Sequence, residues 1–276
     1  MSLLSQTKYF LEKTGLRPSK ARGQNFCIDE NVIEQMVGTA RILPNDTVLE
    51  VGPGFGFLTL ALIQKAGQVI AVELDRKLAE LLIKMQESHK NLEIIQEDIL
   101  RFKSETLKDY KIVANLPYSI TAAFLKKFLT AANQPKTITL LLQSEVAERI
   151  CARPGQMSLL AIAIQLYGRP KIVAKIDRSS FWPVPKVDSA ILQIDGIAPF
   201  PYPGEISEKK FWQVVRSGFC AKRKQLKNNL ASSLHWSPEK VSAALVKIGL
   251  DPRCRAQEIA IGQWLQIAKK LMLTRS

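Results

Sequence analysis

Histidine is almost absent from this chain: His89 and His235 are the only two in 276 residues. Neither has a second plausible metal ligand nearby, and the four cysteines (Cys27, Cys151, Cys220, Cys254) are scattered with no C-x-x-C pair. A structural or catalytic zinc site is therefore not expected, and the metal assignment is none. Isolated thiols of this kind are read as reduced cysteines in a cytosolic protein. Long apolar runs are missing too; none approaches the ~18 residues that a membrane span needs. Lys8, Glu12 and Lys13 interrupt the apolar residues of Met1 to Gly15, which leaves no secretory h-region. The expectation is a soluble cytoplasmic protein, monomeric and without membrane contact.

Acidic residues are in deficit, and the net charge of +14 points to an anionic partner. With aromatics at only 7% and no long basic tail, a nucleic acid held on a folded surface fits this balance best. The deficit is sharpest between positions 209 and 230, where Lys209, Lys210, Arg216, Lys222, Arg223, Lys224 and Lys227 occur with no Asp or Glu. A solvated helix face interleaves both signs. Lys222, Arg223, Lys224 and Lys227 are therefore expected to contact phosphates.

The rest of the chain reads as a globular α/β protein, 46% hydrophobic, without internal repeats. Pro199 to Gly204 is the best linker. It separates an α/β domain over 1–198, with an N-terminal extension over 1–22, from an all-helical domain over 199–276. Met1 to Leu16 reads as a short amphipathic helix closed by Gly15, and Asp29 as the N-cap of a second helix. Strands are expected at Thr47–Val51, Val69–Val72, Leu92–Gln96, Ile112–Ala114 and Ile138–Leu142, then at Lys171–Ile176 and Ala190–Ile194. Leu159 to Leu166 fits a helix or a buried strand.

The chemistry gathers at successive strand ends. The first strand runs into Gly52-Pro53-Gly54-Phe55-Gly56, where glycine lets a nucleotide-like ligand approach the backbone. The spacing is G-x-G-x-G, distinct from a dinucleotide fingerprint, and it lacks the Lys-Ser/Thr of a P-loop. Glu73 ends the second strand and can accept from both ribose hydroxyls. Asp98 follows the third and can accept from an adenine amino group. The fourth ends in Asn115-Leu116-Pro117-Tyr118. There the Asn115 amide oxygen and the Leu116 carbonyl can each accept one hydrogen of an exocyclic NH2. Pro117 stiffens the turn, and Tyr118 offers a stacking face worth about 1–3 kcal/mol per base. Phe181 or Trp182, in the rigid run Phe181-Trp182-Pro183-Val184-Pro185-Lys186, is a candidate second wall.

From Arg17 onward these residues closely resemble the small-subunit ribosomal RNA adenine N6,N6-dimethyltransferases, the KsgA family. The likeness rests on Gly23-Gln24-Asn25-Phe26, Glu50 to Gly56, Glu73-Leu74-Asp75, Asp98, Asn115 to Tyr118, Phe181 to Ser189 and the basic stretch Phe219 to Leu230. It implies a Rossmann-like S-adenosylmethionine methyltransferase sheet with a small all-helical C-terminal domain. It implies four methyl transfers to two adjacent adenines near the 3′ end of 16S rRNA, in a late 30S assembly particle, with S-adenosylhomocysteine as product. Asn25, Cys27 through its backbone, Gly52, Gly54, Glu73 and Asp98 would hold the cofactor. Asn115 would bridge cofactor and base, and Phe181 would pack the base opposite Tyr118. Departures are Cys27 where the family usually has Leu, Ser144 for a common Lys, and a short loop with Met157-Ser158 after Gly155. Antibiotic-resistance methylases of large-subunit rRNA usually carry Asn-Ile-Pro-Tyr and another glycine loop. A non-catalytic assembly or nucleic-acid-binding factor has no need of Glu73, Asp98, Asn115 and Tyr118, and a nicotinamide dehydrogenase needs a different glycine spacing.

Overall fold

Short runs of β-branched and aliphatic residues, each cut off by glycine, proline or a charged turn, assemble into one seven-stranded sheet. The computed structural model describes residues 1–19 and 23–272, without the side chains of Tyr118 and Met272. Lys20 and Arg22 of the basic N-terminal segment, and Leu273, lie outside the described residues. The chain divides into two units, Met1–Glu148 with Gly168–Ile197, and Arg149–Tyr167 with Ala198–Ser276.

In the first unit α1 (Leu3–Thr14), β1 (Phe26–Cys27) and α2 (Glu30–Ala40) precede the strands β2 (Thr47–Val51), β3 (Gln68–Glu73), β4 (Leu92–Gln96), β5 (Tyr110–Asn115) and β6 (Ile138–Gln143). The helices between them are α3 (Phe57–Ile63), α4 (Arg76–Gln86) and α5 (Thr121–Leu129). After α6 (Ser144–Ile150) and α7 (Leu159–Gln165) come β7 (Arg169–Ile176), β8 (Phe181–Trp182) and β9 (Ser189–Asp195). The sheet order is β4-β3-β2-β5-β6-β9-β7. β2, β3, β4, β5 and β6 run parallel, and β9 is antiparallel to both β6 and β7. The central strands are buried except at an end residue, with Val48, Leu49, Ile112, Val113, Leu140 and Leu141 in the interior. Helices cover both faces, so these strands read as continuous apolar runs instead of alternating ones. β7 alternates exposed with half-buried residues and carries Lys171 and Lys175 outward, as an edge strand does.

Local chemistry sets the helix ends. Asp29 accepts from the Asn31 N–H, and Asp75 accepts from Lys77 and Leu78, each an N-cap. Gly15 closes α1 at φ 62. α1 is no free extension: Leu3 lies in the main core beside Val32 and Phe181, and Leu11 packs with Phe55 and Leu78. The Phe10 ring stacks on Phe55 at 5.6 Å.

The second unit holds α8 (Glu208–Gly218), α9 (Leu226–Leu234), α10 (Pro238–Lys247) and α11 (Ile261–Met272) together with α7. Ser207 and Ser237 cap α8 and α10, and Pro238 opens α10. Gly218 permits close helix packing, since a Cβ there would meet the Trp264 ring at 2.3 Å. Residues 149–167, expected in the α/β domain, group with the helices instead. Ser158 caps α7, Gln257 O accepts from Gly155 and Met157 N–H, and the Tyr167 hydroxyl donates to Glu208. The stretch at 159–166 is thus a helix, and its partners lie far downstream. Among the described residues no helix is long and apolar enough to cross a membrane.

Candidate active site

β2 has β3 on one side and β5 on the other, so the chain leaves this point toward both faces of the sheet. In open α/β sheets the crevice outside such a switch point is where ligands bind. A hollow opens here, lined by the ends of β2, β3 and β5 and by the backbone around Asn25.

The backbone of the glycine loop after β2 is one that other residues adopt only under strain. Gly54 has φ 60, and a Cβ on it would meet the Phe26 ring at 3.2 Å. Gly56 has φ 83, and a Cβ there would meet Met85 Cε at 2.7 Å. Glu73 holds the loop in place from β3. Its Oε2 accepts from the Gly54 N–H (3.2 Å) and its Oε1 from the Asp75 N–H (2.8 Å). Burial raises the Glu73 pKa, and these two donors offset part of the shift. Each oxygen keeps a second lone pair, which suits a vicinal diol.

Asn115 ends β5. Its Nδ2 donates one hydrogen to the Asn25 carbonyl at 3.2 Å, which fixes the orientation of the amide and leaves Oδ1 to accept. The Leu116 N–H donates to Leu141 O (3.2 Å), while no backbone N–H among the described residues donates to the Leu116 carbonyl. Among the described residues, two acceptors without a donor thus sit on consecutive residues. Pro117, at φ −57, turns the chain into a 3-10 turn over Tyr118–Ile120. The predicted stacking ring of Tyr118 lies outside the described residues.

Cys27 borders the hollow from β1, which pairs with β8 so that Cys27 faces Phe181. Burial pushes the Cys27 thiol up to about 11, so it is no nucleophile near neutral pH. One sequence expectation needs correction. Phe181 offers no open wall: it is 1% exposed and packs in the core with Leu3, Ile33 and Ile191, because pairing with β1 directs it inward. Asp98, expected to accept from an adenine amino group, lies beyond the residues that line this hollow. It follows the edge strand β4, and its Oδ1 accepts the Leu100 N–H at 2.9 Å in a local turn. Lys222, Arg223 and Lys224 are exposed in the connection between α8 and α9, with Lys227 in the first turn of α9. The buried Asn229 shapes this connection, donating to the carbonyls of Gly218 (2.7 Å) and Ala221 (3.0 Å).

The sequence reading gave no role to Glu50, which lines the hollow from β2. It is 1% exposed, and neither carboxyl oxygen has a hydrogen-bond partner among the described residues. Burial pushes it up to about 8; the Thr59 hydroxyl offsets part of this without reaching hydrogen-bond geometry, and the Glu73 charge adds to it. The available signal was an acid inside the apolar run Val48-Leu49-Glu50-Val51. The folded value lies above the ordinary 4.5, so the folded state holds this proton more tightly than the unfolded chain. Its stabilising contribution is full at low pH and is lost as pH rises through the window from 4.5 to about 8. Thermal unfolding of wild type and Glu50→Gln from pH 5 to 8 should show their stability difference moving steadily in the variant's favour. A constant difference would refute the buried, protonated state.

An open sheet with one reversed strand second from its edge, and acceptors gathered at its switch point around a glycine loop, is the architecture of the Rossmann-like methyltransferases. This protein is one of them. The family model for ribosomal RNA adenine dimethylases matches residues 17–272, and the chain belongs to that family. The ribosomal RNA small subunit methyltransferase A of Dehalococcoides mccartyi (strain 195) is 41% identical over 95% of this chain and 91% of its own length. The protein of the same description from Moorella thermoacetica is 35% identical over 96% of each. Among solved structures, the 23S rRNA methyltransferase ErmE is 30% identical, with a TM-score of 0.73 over 90% of this chain and all of that one. A dimethyladenosine transferase from Plasmodium falciparum shares the fold at the same TM-score, 24% identical over 87% of this chain and 94% of its own.

Proposed function

We propose that this protein transfers methyl groups from S-adenosylmethionine to N6 of two adjacent adenines near the 3′ end of small-subunit rRNA, dimethylating both. The reaction belongs to late assembly of the small subunit. The observation that carries this reading is the pair of free acceptors, Asn115 Oδ1 and the Leu116 carbonyl, beside a glycine loop tied down by Glu73.

The residues fit the cofactor. Glu73 presents two anchored oxygens for a ribose diol, and Gly54 leaves the backbone open to close approach. Gly52, Asn25 and Cys27 line the same hollow. When bound, S-adenosylmethionine supplies an electrophilic methyl group on a sulfonium. The protein's own part is orientation. The lone pair of adenine N6 is delocalised into the ring, and two acceptors on its hydrogens draw the nitrogen toward tetrahedral geometry. That frees the lone pair for in-line attack, and no strong base is needed because the nitrogen's proton turns acidic on alkylation. Holding both partners at reaction distance accounts for most of the acceleration. The base must leave its stack, which costs a few kcal/mol, and stacking on Tyr118 returns part of this.

The likeness to a 23S rRNA methyltransferase favours one rival, methylation of large-subunit rRNA. The more similar relatives bear a small-subunit description, and Leu116 stands where the resistance methylases usually carry Ile. Methyl transfer to 30S particles and to protein-free large-subunit RNA separates the two. Dimethylation of two adjacent small-subunit adenines is expected, and activity on the large-subunit RNA alone would overturn the proposal.

RNA contact is assigned to the exposed connection between α8 and α9. Changing Lys222, Arg223, Lys224 and Lys227 together to Ala should flatten the salt dependence of RNA binding by roughly 0.7–0.9 of log–log slope per lost phosphate contact. An unchanged slope would show that these side chains face elsewhere.

A further inference from the structure

In a chain of net charge +14, the hollow is lined by three acids, Glu50, Glu73 and Asp75. No Lys, Arg or His borders it among the described residues. Two of the acids are already satisfied by the protein. Glu73 accepts from the Gly54 and Asp75 N–H groups, and Asp75 caps α4. Glu50 is different: it is almost fully buried, borders the hollow, and has no donor on either oxygen among the described residues.

Thr59, Glu73 and the groups that line the hollow with Glu50 offer a negative charge no compensation. From α3 comes the Thr59 hydroxyl, outside hydrogen-bond geometry; from β3 comes Glu73, a like charge. β5 contributes the Asn115 amide, which gives one N–H to Asn25 and none to Glu50, and α2 contributes apolar Ile33 and Met36. β1 contributes Cys27, a neutral thiol near pH 7. A buried carboxylate without donors, beside another carboxylate, is strongly disfavoured and takes up a proton. A positive charge entering the hollow reverses that preference, since an opposite charge within about 4–6 Å favours the ionised form.

We infer that Glu50 carries a proton while the hollow is empty and releases it to solvent when a ligand brings an ammonium group against it, so that cofactor capture is coupled to proton release. The step balances as the neutral acid giving a carboxylate, which pairs with the ligand's positive charge, and one proton passing to buffer. The inference rests on the S-adenosylmethionine reading for the identity of the ligand. The charge involved is the ammonium of the amino-acid portion, which S-adenosylhomocysteine shares and 5′-methylthioadenosine lacks. A site built this way holds the cofactor more tightly as pH rises, up to the point where the empty protein has already lost the proton.

Calorimetric titration of the full chain with S-adenosylhomocysteine at pH 7, in phosphate, HEPES and Tris, reads the protons released from the dependence of heat on buffer. With Glu50 near 8 in the empty protein, release of about 0.9 proton per site is expected at pH 7, falling to about 0.1 at pH 9. 5′-Methylthioadenosine should release none. Glu50→Gln copies the neutral acid, so it should fold as wild type does, release no proton, and bind S-adenosylhomocysteine at least about tenfold more weakly with a flat pH dependence. Release below about 0.2 proton from wild type overturns the inference, as does undiminished release from the variant, which would place the proton on another group. The wild-type buffer series stands without the variant. Failure of wild type to bind S-adenosylhomocysteine in any buffer is a separate outcome and removes the cofactor reading itself.

Discussion

Asn115→Ala should lower the rate of methyl transfer by about 10²–10³-fold, the range seen when one preorganised hydrogen-bonding group is removed from a reacting centre. Two properties of Asn115 make it hard to replace. It ends a strand buried on both faces, so its Cα is held in place, and its NH2 is engaged by the Asn25 carbonyl. The side chain is therefore already oriented, with Oδ1 free, before substrate arrives. Alanine removes that acceptor and leaves the Leu116 carbonyl alone to align the adenine amino group. It also frees the Asn25 carbonyl, so cofactor affinity should fall by only a few-fold, about the worth of one neutral hydrogen bond. Binding to 30S particles should be largely intact. Single-turnover methyl transfer measured beside equilibrium binding tests this. Equal losses in rate and in RNA binding would refute an orienting role.

Glu73→Gln should weaken S-adenosylhomocysteine binding by about 100-fold, since hydrogen bonds to a charged group are worth about 1.5–3 kcal/mol each. The carboxylate uses both oxygens on backbone N–H groups from two different loops. Glutamine has one oxygen and one NH2. Either Gly54 or Asp75 then meets a donor with a donor, and the glycine loop loses its anchor. The ribose diol loses an acceptor at the same moment. Calorimetry of the variant gives the affinity, and a change under about threefold would show that Glu73 is only a structural staple. Salt dependence of RNA binding should not change, because that property is assigned to Lys222, Arg223, Lys224 and Lys227.

These two residues were legible in the sequence for a physical reason. A strand read from a short apolar run has a defined end, and parallel strands place their C-terminal ends along one edge. Gly52, Gly54, Glu73 and Asn115 therefore come together once the strands pair in register, and Val51 does pair with Val72 and with Ala114. Asp98 obeyed the same pattern, on a strand at the sheet edge, and one of its oxygens accepts within the next turn. Phe181 read as a free aromatic in a proline-stiffened loop. Its fate depended on pairing between Cys27 and Phe181, a contact no local pattern encodes. Glu50 was visible as an acid in an apolar strand, but not as a group stripped of donors.

By itself the sequence determined the local terms: the strand and helix periods, the glycine turn, the capping residues, the acceptors at strand ends and the sign of the charge. Each of these depends on neighbours within a few positions along the chain. Only the tertiary structure decided which acid lines the hollow, which aromatic is buried, and that 149–167 joins the helical unit. Burial, pairing between distant segments and the supply of donors are properties of three-dimensional neighbours. A carboxyl group's proton and an aromatic ring's free face are set by those neighbours, whatever the residues beside them in the chain.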